Sequence, residues 1–118
     1  MIFEKPLDNL SAIYWYEVDV KRVVDGDTFV GDIRLGFGLS RSKQYFRLAM
    51  IDTPERGQPG YQEAKDYLVA RIQGRRIMIN SSHDSTGRYK RIIAQCCIDG
   101  QNVNQQLLEL GYAKAVSY

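Results

Sequence analysis

Three features of this sequence predict an α+β fold that is mainly β. Five short runs alternate apolar and polar residues with the period of a strand. Ala64, Leu68 and Ile72 recur at helical spacing between the third run and the fourth, and a shorter helical pattern follows the fifth. Asp-Gly pairs stand at two of the junctions, where turn-forming residues are needed.

Taken in order, Tyr14, Tyr16, Val18 and Val20 alternate with Trp15, Glu17 and Asp19, as in a half-buried strand. Asp25-Gly26-Asp27 turns the chain into a second strand, Thr28 to Leu35. The glycine- and serine-containing stretch from Gly36 to Lys43 is expected to form a loop or an irregular hairpin end. A third strand, Tyr45 to Ile51, is expected to place Phe46, Leu48 and Met50 on one face and Arg47 on the other. Pro54 ends that strand, and Glu55 to Gly60 reads as a polar loop. Tyr61 to Gln73 is the first helix, with Gly74 placed to cap it. Arg75 to Asn80 is a fourth strand around Ile77 and Ile79. Ser81 to Arg88 reads as a mobile surface loop. Tyr89 to Ile98 is a fifth strand with Ile92, Ala94, Cys96 and Ile98 facing inward. After the Asp99-Gly100 turn, Val103, Leu107 and Leu110 mark a short helix closed by Gly111. This order matches a five-stranded OB-fold barrel, with a helix between strands three and four and a short helix after strand five.

The length of 118 residues suits one domain over 1–118 with a single core at about 12–112. With 44% apolar and 25% charged residues the composition is that of an ordinary soluble protein. A net charge of +2 is too small to announce nucleic-acid binding, so any attraction to polyanions must be local. No apolar run approaches a membrane span, and the charged, proline-bearing N-terminus does not read as a signal peptide. Cys96 and Cys97 are adjacent and point to opposite faces of a strand, so they read as reduced packing residues. A cytoplasmic protein without a membrane association is the expectation.

Acids at the ends of apolar strands carry the functional signal, because a carboxylate near a core must be paired or bound to a cation. Asp27 and Asp52 would meet at adjacent barrel edges. Together with a backbone carbonyl such as that of Thr53 they form an oxygen-only ligand set, suited to Ca²⁺ or Mg²⁺ rather than zinc. His83 lies in a polar loop and reads as an exposed residue. Arg47 and Arg91 could hold an anionic substrate next to the metal, since a guanidinium binds phosphate as a bidentate fork. Glu55, three residues beyond Asp52, could accept a proton from attacking water. Metal, base and two arginines make a kit for phosphodiester hydrolysis.

These motifs resemble the staphylococcal nuclease (thermonuclease-like) family. The resemblance is carried by Val24-Asp25-Gly26-Asp27-Thr28, Phe46-Arg47-Leu48, Ile51-Asp52-Thr53-Pro54-Glu55 and Tyr89-Lys90-Arg91-Ile92-Ile93-Ala94. Asp99-Gly100, Val103-Asn104 and Leu110-Gly111-Tyr112-Ala113 extend it, so that it runs from about Tyr16 to Tyr112. It implies a Ca²⁺-dependent hydrolase of DNA and RNA that leaves 3′-phosphate ends. By the same resemblance Asp27 and Asp52 are the metal-binding acids, Thr53 the carbonyl ligand and Glu55 the general base. Arg47 and Arg91 are the phosphate-binding arginines, Tyr89 a substrate-contacting tyrosine, and Asp25 an acid behind the ligands. Tyr89-Lys90-Arg91 stands where the family usually has Tyr-Gly-Arg, with Arg88 just upstream as a substitute. The hairpin around Leu35 to Ser42 is longer than usual, and Leu35-Gly36-Phe37-Gly38 looks like a phage-type or bacterial branch. The loop after Glu55 is shorter, and the family's final helix is missing. A monomer is expected. The rival expectation is a catalytically idle OB module that binds nucleic acid or protein.

Overall fold

The computed structural model describes residues 15–81 and 91–116. In chain order its elements are β1 (Trp15–Asp25), β2 (Thr28–Gly36), β3 (Leu39–Leu48), the short β4 (Ile51–Asp52) and α1 (Tyr61–Ile72). They are followed by β5 (Arg76–Asn80), β6 (Arg91–Ile98), the short β7 (Gln101–Asn102), α2 (Val103–Glu109) and the short β8 (Lys114–Ala115). β1, β2 and β3 form an antiparallel meander, β5 pairs with the free side of β1, and β6 pairs with β5. A parallel pairing of β6 with β3, from Tyr45↔Arg91 to Leu48↔Ala94, closes the circle. The result is the expected five-strand OB barrel with α1 between the third and fourth barrel strands.

The interior follows from strand alternation. Val18, Phe29, Phe46, Leu48, Ile79 and Cys96 are buried on the inner faces, and the rings of Phe29 and Phe46 stack 4.9 Å apart. Leu68 and Ile72 of α1 and Val103 and Leu107 of α2 pack against the same core. Both cysteines are buried and unbridged, and burial pushes the Cys97 thiol up to about 11. They are packing residues, as their adjacency suggested.

β1 serves two neighbours by bending. Its register with β2 shifts between Val20 and Arg22 and again between Val23 and Asp25. The amides released there are taken up by the segment that follows α1. Val20 N–H donates to the Arg75 carbonyl at 2.9 Å and Val23 N–H to the Gln73 side chain at 2.9 Å. Gly31 lies where β2 crosses this bend, and a Cβ there would meet the Asp19 carbonyl oxygen at 2.7 Å.

Three sequence expectations need correction. The stretch expected to be a loop is mostly strand: β3 begins at Leu39, and only the tip of the hairpin is turn. Gly36 and Gly38, with φ of 85° and 75°, permit that tight tip. At the other end β3 stops at Leu48 rather than reaching Ile51. Met50 is exposed with φ of 64°, off the face shared by Phe46 and Leu48. Ala49 N–H bonds to the Ala94 carbonyl and Val116 N–H to the Met50 carbonyl, and these bonds fix the bend. Leu110 is exposed at the end of α2, and Tyr112 packs inward instead, its ring 5.1 Å from that of Tyr67. No helix among the described residues is long and apolar enough to cross a membrane.

Candidate active site

The link between β1 and β2 is only Gly26 and Asp27, since Asp25 already pairs with Thr28. A side chain at position 26 would collide with neighbours on two other segments. A Cβ there would lie 2.8 Å from the Cβ of Ala64 in α1 and 2.8 Å from the Thr53 hydroxyl. Glycine therefore lets the turn press against the helix and the strand end, and the following residue, Asp27, is carried inside. Asp27 is only 7% exposed.

A buried carboxylate must be satisfied, and three donors do so. The Arg47 Nη1 lies 2.7 Å from Asp27 Oδ2, the Thr53 amide donates to the same oxygen at 3.2 Å, and the Thr28 hydroxyl donates to Oδ1 at 3.1 Å. The Arg47 contact is short but poorly aligned, so it acts as an ion pair rather than a directed hydrogen bond. Arg47 reaches this position because it pairs with Thr28 across β2 and β3, while Leu48 N–H donates to the Asp27 carbonyl at 2.9 Å. Its other terminal nitrogen lies 3.4 Å from Asp52 Oδ1. One guanidinium thus spans two carboxylates that are 25 positions apart in the sequence.

The residues differ in access. The side chains of Asp27 and Arg47 are nearly enclosed, whereas that of Asp52 is 47% exposed. Asp52 stands on β4, where it pairs in register with exposed Lys114 of β8. Behind the turn, Asp25 is half-buried and its Oδ1 accepts from the Asp27 amide at 3.3 Å. Burial first, then the neighbouring Asp27 carboxylate, pushes the Asp25 carboxyl from its ordinary value up to about 6.

Asp25, Asp27, Arg47, Asp52 and Thr53 are therefore brought together as the sequence suggested. Arg91 opens β6 beside Tyr45, two residue pairs along the seam from Arg47. Glu55 is exposed in the loop after β4, its amide bonded to the Gln58 side chain at 2.8 Å. Among the described residues no hydrogen bond or ion pair ties its carboxylate to the acids or to Arg47. Tyr89, Arg88 and His83 lie outside the described residues.

Two supporting residues escape sequence reasoning. Thr28 holds Asp27 through its hydroxyl. Asn104, 2% exposed, donates to the Ala49 and Ala94 carbonyls at 3.0 and 3.2 Å and accepts from Cys96 N–H at 3.0 Å. It thereby joins α2, β6 and the bend after β3, which in turn sets Arg47 and Asp52. Its position three residues before Leu107, on the buried side of α2, is the signal that could have found it.

The donor set can be tested against a cation. Asp27 and Asp52 each aim an oxygen at the Arg47 guanidinium, one at each terminal nitrogen. No group of three His, Cys, Asp or Glu side chains gathers among the described residues. A metal here would complete its shell with carbonyl oxygen, water and substrate. That is the behaviour of a hard ion such as Ca²⁺ and unlike that of zinc. The oxygen donor types suit such an ion, while in this structure Arg47 engages both carboxylates.

The model of the family described as staphylococcal nuclease homologue matches residues 45–118. Arg47, Asp52, Thr53, Glu55, Tyr89 and Arg91 fall inside this match, while Asp25 and Asp27 precede it. The β2–β3 register, not the match, delivers Asp27 to Arg47. No curated relative matches the chain.

Proposed function

We propose that this chain, which belongs to the staphylococcal nuclease homologue family, hydrolyses phosphodiester bonds of DNA and RNA in a Ca²⁺-dependent reaction. Membership implies a nuclease or a nucleic-acid-binding role. The observation that favours hydrolysis is the Arg47 guanidinium set between Asp27 and Asp52, with a second arginine two residue pairs away.

In this reading Asp27, Asp52 and the Thr53 carbonyl hold the ion. When bound, Ca²⁺ supplies positive charge to a phosphate oxygen and lowers the pKa of water. Arg47 and Arg91 bind the phosphate and compensate the charge that grows on its oxygens as attack proceeds. Their guanidinium groups stay cationic at any working pH, and the fork geometry orients the phosphodiester. Glu55 takes the proton from the attacking water, a role that its exposed, polar setting permits. Asp25 lies behind the turn and positions Asp27 through the backbone contact at 3.3 Å.

The Glu55 carboxylate, unattached among the described residues, favours one second reading, an OB module that binds nucleic acid without cutting it. Incubation of plasmid and single-stranded DNA with Ca²⁺, Mg²⁺ or chelator, followed by electrophoresis, separates the two. Cleavage is expected with Ca²⁺ and lost in chelator. Mg²⁺, smaller and confined to octahedral geometry, should support less. Binding without cleavage under every condition would leave the idle module.

A further inference from the structure

The outer face of the β3–β6 seam carries a checkerboard. In the parallel register Tyr45 stands beside Arg91 and Arg47 beside Ile93. Phe46, Leu48 and Ala94, the intervening residues, are buried in the core. Strand alternation therefore turns Tyr45, Arg47, Arg91 and Ile93 to the opposite side. The two cations occupy one diagonal of this square. A phenol ring and an aliphatic side chain occupy the other.

Tyr45 adds little to the core. It is 43% exposed, and its hydroxyl makes no hydrogen bond among the described residues. An aromatic ring between two arginines has the composition of a single-strand binding surface, where cations track the backbone and bases stack on aromatic faces. Two residues along a strand advance about 6.6 Å, so a base on the ring would keep its phosphate near the arginines. Duplex nucleic acid cannot offer that base, because its bases stay inside the helical stack.

We infer that Tyr45 is a base-stacking subsite, accepting one unpaired nucleobase next to the phosphate held by Arg47 and Arg91. This inference rests on the nucleic-acid reading above but not on hydrolysis. Ile93, half-buried beside Arg47, stands diagonally across the seam from Tyr45.

The test measures binding of a labelled single-stranded oligodeoxynucleotide and of the matching duplex, with Ca²⁺, to protein carrying Glu55→Gln. Adding Tyr45→Ala should weaken single-strand binding roughly five- to hundred-fold, the range that base–aromatic stacking gives, and leave duplex binding unchanged. Tyr45→Phe, which keeps the ring, should bind as the parent does. An oligonucleotide made wholly of abasic sites should bind the parent and Tyr45→Ala alike. Equal single-strand affinities for parent and Tyr45→Ala would overturn the subsite, as would equal losses for single strand and duplex, or no binding by the parent. Cleavage assays on protein with Glu55 intact keep the two readings apart. Cutting with unchanged strand preference after Tyr45→Ala removes the subsite and leaves the nuclease. Absence of cutting, with the single-strand binding loss present, removes the nuclease and leaves the subsite.

Discussion

The two ends of the β2–β3 ribbon reverse the usual rule of burial. At one end, Asp27 and Arg47 are enclosed and cross-linked to Thr28, Asp52 and Thr53. At the other, Leu35, Phe37 and Leu39 are exposed, and Phe37 is fully so. The near end is pressed under α1 at Ala64, as the fit of Gly26 shows, whereas the far end reaches past the barrel where no layer of the described chain covers it. The lesson is that the near end holds its charges by specific partners and cannot lose one cheaply. The far end leaves Phe37 wholly exposed and can lose it with little effect.

The sharpest way to break this comparison is to remove one member of the near end. Asp27→Ala should destabilise the protein by about 1–3 kcal/mol, since it leaves the Thr53 amide unpaired and the enclosed guanidinium with Asp52 alone. Denaturant unfolding measures this, and a loss under 1 kcal/mol would mean that the near end is not coupled. Activity should disappear with it.

Glu55→Gln separates chemistry from stability within the same region. Turnover should fall by roughly 10²–10⁴ while the unfolding midpoint stays put, because Glu55 is exposed and, among the described residues, tied only through its backbone. Turnover near that of the parent would make Glu55 a bystander.

Arg91→Ala should lower the rate by about 10²–10³, and Arg88→Ala should change it little. Lysine at position 91 should restore little, because it lacks the planar fork. The opposite ranking in steady-state assays would move the phosphate clamp to Arg88.

A smaller effect belongs to Asp25. Its carboxyl is raised to about 6 in the fold, so the native state holds a proton that the unfolded chain has released. The contribution of Asp25 to stability is therefore fully present below about pH 4 and declines as pH rises to about 6, by about 1 kcal/mol once solvent screening is allowed for. Asp25→Asn in chelator should flatten that slope in unfolding curves taken across the window. An unchanged slope would place the proton elsewhere.

The far end should give the smallest response. Phe37→Ser should alter stability by no more than about 0.5 kcal/mol, as for other surface positions without partners. A larger loss in thermal unfolding would show that something does cover the hairpin tip.

Much of this was legible in the residues. The period-two runs set the inner faces of β1, β2, β5 and β6. Ala64, Leu68 and Ile72 set the buried stripe of α1. The acids at strand ends could be read because charge beside a core demands a partner. Local pattern fails where a bond from a distant segment decides the backbone. Met50 sits on its alternating face in the sequence, yet bonds to Ala94 and Val116 bend the chain and turn it out. The Gly36 to Lys43 stretch is polar enough to read as loop, yet ladder pairing with β2 makes most of it strand.

The sequence by itself determined which side chains could do the chemistry and which faces of the strands point inward, because both follow from residue type and a period of two. Tertiary structure alone decided who stands beside whom. The parallel closure of β6 on β3 sets Arg91 next to Tyr45, and the β2–β3 register delivers Asp27 to Arg47. Period two tells a residue's face but never its neighbour across the sheet, and that choice is made by closing the barrel over one shared core.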